Sequence, residues 1–67
     1  MVNIHLNGEV REIAHQIDVN GLLREFHLSE KRVAVELNGR VVSRADWPQT
    51  IVNDGDRVEV VHFVGGG

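Results

Sequence analysis

Four histidines are the side chains most suited to chemistry in this sequence: His5, His15, His27 and His62. No two are four residues apart, the spacing that puts two imidazoles on one helix face, and there is no cysteine to complete a zinc site. His5 alternates with Ile4 and Leu6, so it is expected on a solvent face. Glu9, Glu12, Glu25, Glu30, Glu36 and Glu59 are scattered, with none in the apolar surroundings that a general acid needs. Asp54 and Asp56 flank Gly55, and turn formation accounts for them. No nucleophile stands beside a base. Neither G-x-x-x-x-G-K-[ST] nor G-x-G-x-x-G occurs to cradle a phosphate. The expectation is no catalytic residue, no metal and no bound cofactor, hence a protein that is not an enzyme.

What remains is the end of the chain. The segment V-E-V-V-H-F-V runs directly into Gly65, Gly66 and Gly67 with no solvated spacer. Glycine has no side chain, so such a run can enter a channel too narrow for other residues. The α-carboxylate after Gly67 is expected to be ionised at neutral pH and able to attack ATP. Terminal glycines are also common as idle residue. Pattern alone leaves a working tail and an idle one equally open.

The elements that would hold this tail are legible in the apolar periodicity. Val2, Ile4 and Leu6 alternate with polar residues, as in a half-buried strand. Asn7-Gly8 then favours a two-residue hairpin turn. Residues 9–14 read as the returning strand, with Val10 and Ile13 as its apolar members. Their spacing of three predicts a bulge or a short strand. The period next changes: Val19, Leu22, Leu23 and Phe26 share one helix face, behind Asp18 as N-cap. Gly21 inside this helix costs about 1 kcal/mol relative to alanine. The helix is expected to end near His27 or Leu28.

Val33, Val35 and Leu37 restore the strand period, and Asn38-Gly39 turns it back through Val41 and Val42. Residues 45–50 read as irregular, since Pro48 excludes a central strand. Trp47 reads as a packed loop anchor. Residues 53–56 form another turn, and the last strand runs from Arg57 to about Val64. The order is hairpin, helix, hairpin, loop, strand. If the first and last strands are parallel neighbours, the hairpins become flanks and the helix crosses one face. This is an α+β, ubiquitin-like β-grasp arrangement (ββαββ), with a mixed sheet of four or five strands on one helix. The domain is expected over residues 1–64 and a flexible reactive tail over residues 65–67.

Composition agrees with one soluble domain. The chain has 67 residues, 42% of them hydrophobic and 25% charged, with net charge −3. A domain this short buries only about 60% of its unfolded surface, and without cysteine its stability must come from packing. The acidic balance argues against nucleic acid and suits a partner with a basic docking surface. The absence of cysteine fits a cytoplasmic setting. The start MVNIHLNG lacks the basic opening of a signal peptide, and no apolar run approaches the ~20 residues that span a bilayer.

Taken together, LNGE at 6–9, LLREF at 22–26, VAVELNGRVVSRADWPQT at 33–50, DGDRVEVVHF at 54–63 and the terminal Gly-Gly resemble the ThiS family over the whole chain. These are sulfur carriers of thiamine-thiazole biosynthesis. The resemblance implies that a ThiF-like enzyme consumes ATP to adenylate the Gly67 carboxylate. A persulfide from a cysteine desulfurase pathway then replaces AMP to give a thiocarboxylate, and thiazole synthase (ThiG) takes the sulfur. Gly65 and Gly66 would thread the tail into these partners. The third glycine, at position 65, departs from related carriers, which often have another small or apolar residue there.

By parity Val58 and Val60 should face the helix, and Glu59, Val61 and Phe63 should face outward. Val61 and Phe63 are then expected to be the partner-docking residues, where a partner must grip to insert the tail. A strand partly covered on both faces is the other reading. Three other functions stay open: a carrier for molybdopterin synthesis, a protein modifier joined to lysines, and a β-grasp binding module with an idle tail.

Overall fold

The computed structural model describes residues 1–28 and 31–63. The tail over 65–67, the boundary before it and Val64 lie outside the described residues.

The chain opens with β1 (Val2–Leu6) and β2 (Glu9–Ile13), joined by Asn7-Gly8 at φ +51° and +84°. Asparagine and glycine are the residues that tolerate these positive angles, so the turn fixes the register. Pairing runs unbroken from Val2↔Ile13 to Leu6↔Glu9. Of the bulge or short strand expected, no bulge forms in this pairing, and the apolar spacing has a different cause. Ile13 faces the core opposite Val2, whereas Val10 faces outward opposite His5 and is 66% exposed. Val10 is therefore not a core member of this strand. The inner position between Glu9 and Ile13 belongs to Arg11, which pairs with Glu9 at 2.6 Å and lies 6.0 Å from the centre of the Phe26 ring.

A two-residue strand, β3 (Ile17–Asp18), leads into α1 (Val19–Glu25). Asp18 caps it, its side chain accepting from Gly21 N–H at 3.1 Å. Val19, Leu22 and Leu23 are fully buried. The helix stops at Glu25, before the expected end. His27 takes φ +57°, and two closing bonds follow: His27 N–H to Arg24 C=O at 3.1 Å and Leu28 N–H to Leu23 C=O at 2.8 Å. This is the left-handed C-terminal cap that glycine usually makes. Phe26 and Leu28 still pack against the core from beyond the helix.

The second hairpin is β4 (Val33–Leu37) and β5 (Arg40–Val42), again turned by an Asn-Gly pair. The stretch expected to be irregular forms a 3₁₀ helix, Arg44–Gln49, that includes Pro48. It seats Trp47, which is 2% exposed and donates its indole N–H to Val42 C=O at 3.0 Å. A short β6 (Ile51–Val52) pairs with β3 in a small second sheet. Then β7 (Arg57–His62) enters the main sheet, whose order is β2-β1-β7-β4-β5. β1 and β7 are parallel, β7 and β4 antiparallel. The helix and Trp47 share one core with the inner side chains of the main sheet. No helix among the described residues is long and apolar enough to cross a membrane.

Candidate functional site

β7 is the central strand and delivers the chain to its glycines. Its inner residues are buried, Val58 completely and Val60 nearly so. Val61 on its outer side and Phe63 just past its end are 51% and 57% exposed. The alternation puts two apolar side chains on the outer face at the C-terminal end of the described residues. Val61 stands opposite Ala34, and the next outward pair toward the turn is Glu59 opposite Glu36. These two carboxylates are half-buried neighbours of like charge, an arrangement that costs stability in the free sheet.

Two asparagines clamp β7 from either side. Asn7 donates its backbone N–H to Val58 C=O at 2.9 Å, and its side-chain oxygen accepts from Val60 N–H at 2.7 Å. Asn38 donates to Arg57 C=O at 2.8 Å and accepts Arg57 N–H at 2.9 Å. Sequence reasoning assigned both residues to turn geometry and missed this second task. The available signal was asparagine at both turns: glycine would satisfy φ but leave no side-chain oxygen.

Asp54 and Asp56 are turn residues, accepting from Asn3 N–H and Asn53 N–H, each at 2.7 Å. The four histidines are exposed, His5 on β1, His62 on β7, and His15 and His27 in the segments that flank β3 and α1. Among the described residues no three His, Asp or Glu side chains gather as a metal would require. Gly65, Gly66 and Gly67 lie outside the described residues. The structure therefore places Val61 and Phe63 on one side at the C-terminal end of the described residues, on a strand fixed at both flanks through its first half.

A mixed five-stranded sheet with its first and last strands parallel, crossed by one helix, defines a ubiquitin-like β-grasp protein. The crystal structure of a thiamine biosynthesis protein (ThiS) from Geobacter metallireducens superposes with a TM-score of 0.88 at 38% identity, covering 98% of this chain and all of that one. The ThiS family model matches residues 4–67, and the chain belongs to that family. It is 37% identical to the sulfur carrier protein ThiS of Bacillus subtilis, over 96% of this chain and 98% of the relative. It is also 42% identical, over 92% of its length, to a thiazole synthase of Paramagnetospirillum magneticum. The matched segment spans 19% of that relative, so this chain resembles about a fifth of it.

Proposed function

We propose that this chain is a sulfur carrier for thiazole formation in thiamine biosynthesis and that Gly67 is its covalent site. A ThiF-like enzyme adenylates the Gly67 carboxylate with ATP and releases pyrophosphate. Adenylation is needed because a carboxylate oxygen is a poor leaving group. The outer sulfur of a persulfide derived from a cysteine desulfurase then displaces AMP to give an acyl disulfide. A thiol cleaves its S–S bond, leaving a disulfide as the oxidised product and a thiocarboxylate at the terminus. Its sulfur, softer and more nucleophilic than the oxygen it replaces, passes to thiazole synthase (ThiG). The carrier supplies a handle and a docking surface, its partners supply the catalysis, and it acts as their co-substrate in the cytoplasm. Val61 and Phe63 dock, and Gly65 and Gly66 thread.

The observation that carries this reading is the family match, which runs through the last glycines. A thiazole synthase that contains a segment similar to this chain supports ThiG as the sulfur acceptor. Intact-mass analysis of protein from cells tests the proposal. The expected result is a species heavier by the replacement of one terminal oxygen with sulfur, and its loss when the activating enzyme is deleted. Conjugates on lysines would instead make the chain a modifier, and a terminus that is never altered would make it a binding module. One alanine added after Gly67 shifts the carboxylate by about 3.5 Å. That variant should fold and dock but exchange pyrophosphate with ATP on the order of 100-fold more slowly.

A further inference from the structure

The β1–β7 ladder is shorter than the strand it serves. β1 is matched to β7 only at His5↔Arg57 and Leu6↔Val58. β4, on the other flank, follows β7 from Leu37↔Val58 to Val33↔His62. Backbone groups alternate along a strand, so residues 58, 60 and 62 turn N–H and C=O toward β1, and residues 57, 59, 61 and 63 turn theirs toward β4. The bonds agree. Asn7 N–H donates to Val58 C=O, while Phe63 N–H donates the other way to Arg32 C=O at 2.7 Å. β1 then stops at its turn. The Asn7 side chain supplies one more rung by accepting Val60 N–H. Beyond it, the β1–β7 ladder offers no further rung among the described residues to Val60 C=O or to the two backbone groups of His62.

His62 is exposed, so in the free protein water can serve its N–H and C=O. Such a flank is a strand edge that can accept another strand. The outer edges of the sheet are blunted by other means: β2 carries Glu9, Arg11 and Glu12, and β5 is three residues long. The open flank of β7 has no such charge at positions 60–62. It adjoins a groove at Asn7, which opens between the first hairpin and the end of α1 and has Leu6, Phe26 and Leu28 as its apolar lining.

We propose that an extended backbone segment of the adenylating enzyme completes this flank in the line that β1 vacates. The segment donates an N–H to Val60 C=O, accepts the His62 N–H, and directs an apolar side chain toward Leu6, Phe26 and Leu28. The inference rests on the carrier reading above. That enzyme is the fitting occupant because the open rungs share their strand with Val61 and Phe63 and lie immediately before the tail. A strand added there fixes the last rungs of β7, and with them the direction in which the glycines leave. A second copy of this chain fits less well. Two such flanks laid antiparallel would meet at the His62 pair, where Asn7 already takes Val60 N–H and removes one rung on each side.

Amide hydrogen exchange followed by NMR on the whole protein, alone and with the purified ThiF-like enzyme, tests this directly. In the free protein the His62 amide should exchange quickly, and in the complex roughly tenfold or more slowly. The Val61 amide, which faces β4, should be protected in both. His62→Pro removes a donor on the flank away from β4, where proline is tolerated. It should weaken affinity about fivefold to tenfold. If that variant does not fold, the exchange measurement decides. A complex that forms with His62 exchange unchanged overturns the added strand and leaves the carrier function standing. Failure of the enzyme to bind at all overturns both. Protection of His62 in the free protein that grows with concentration assigns the flank to a second copy and overturns the proposal.

Discussion

Phe63 and Trp47 show how one residue class serves opposite ends within a small domain. Trp47 is buried, satisfies its indole N–H on Val42 C=O, and has the Arg44 guanidinium 4.5 Å from its ring. Phe63 is more than half exposed, with its backbone tied to Arg32. Its ring therefore contributes little to the core. Phe63→Ala should change unfolding free energy by no more than about 0.5 kcal/mol. The same change should weaken binding to the activating enzyme by about tenfold or more, as loss of an interface aromatic does. Parallel urea unfolding and titration calorimetry separate the two effects. Severe loss of stability with unaltered affinity of the folded fraction would move the docking surface elsewhere.

At the scale of elements, two local features have a tertiary purpose. Asn7 adopts φ +51° and also holds Val60 N–H. Asn7→Gly keeps the turn geometry and removes only the side-chain acceptor. The expected cost is about 1 kcal/mol, with faster exchange of the Val60 amide. An unchanged Val60 amide would show that the turn angle alone explains the asparagine. Gly21 is the second feature. In an exposed helix, glycine to alanine gains about 1 kcal/mol. Here a Cβ would sit 2.9 Å from the capping oxygen of Asp18 and 3.4 Å from Ile17 Cβ. Gly21→Ala should therefore lower the thermal midpoint instead of raising it, because the new methyl displaces the N-cap. A higher midpoint would mean that Asp18 can shift at little cost.

At the scale of the whole molecule, stability depends on one layer of apolar side chains between the sheet and α1. Leu23 is fully buried within it. Leu23→Ala should cost about 2–5 kcal/mol, a large share of what a domain this small possesses. Deletion of residues 65–67 should cost about 0.5 kcal/mol or less, since glycine brings no apolar side chain to a core. Chemical denaturation of both variants measures the contrast. A tail deletion as damaging as Leu23→Ala would mean that the glycines pack on the domain and would end the idea of a free reactive arm.

Much of this architecture follows from sequence because its signals are local. Alternation in Val2–Leu6 and Val33–Leu37, the two Asn-Gly turns and the spacing of Val19, Leu22 and Leu23 each involve neighbours along the chain. A two-residue turn fixes hairpin register without help from the rest of the fold. Parity on the last strand also set Val58 and Val60 apart from Val61 and Phe63 by side-chain direction alone. Other features were decided by contacts that apolar periodicity does not carry, some of them local and some between residues far apart in sequence. Val10 turned outward once the hairpin register placed it opposite His5, and Arg11 took the inner position. The helix ended early because His27 could adopt a left-handed cap that let Leu28 N–H reach Leu23 C=O. β3 and β6 are too short to carry a period, and they exist because Ile17 and Val52 meet across the fold. The length of the β1–β7 ladder belongs to the same class. It joins residues about fifty positions apart, and a parallel pair has no tight turn to set its register. No local pattern could reveal that β1 stops beside Val58 and leaves the second half of β7 with one flank open.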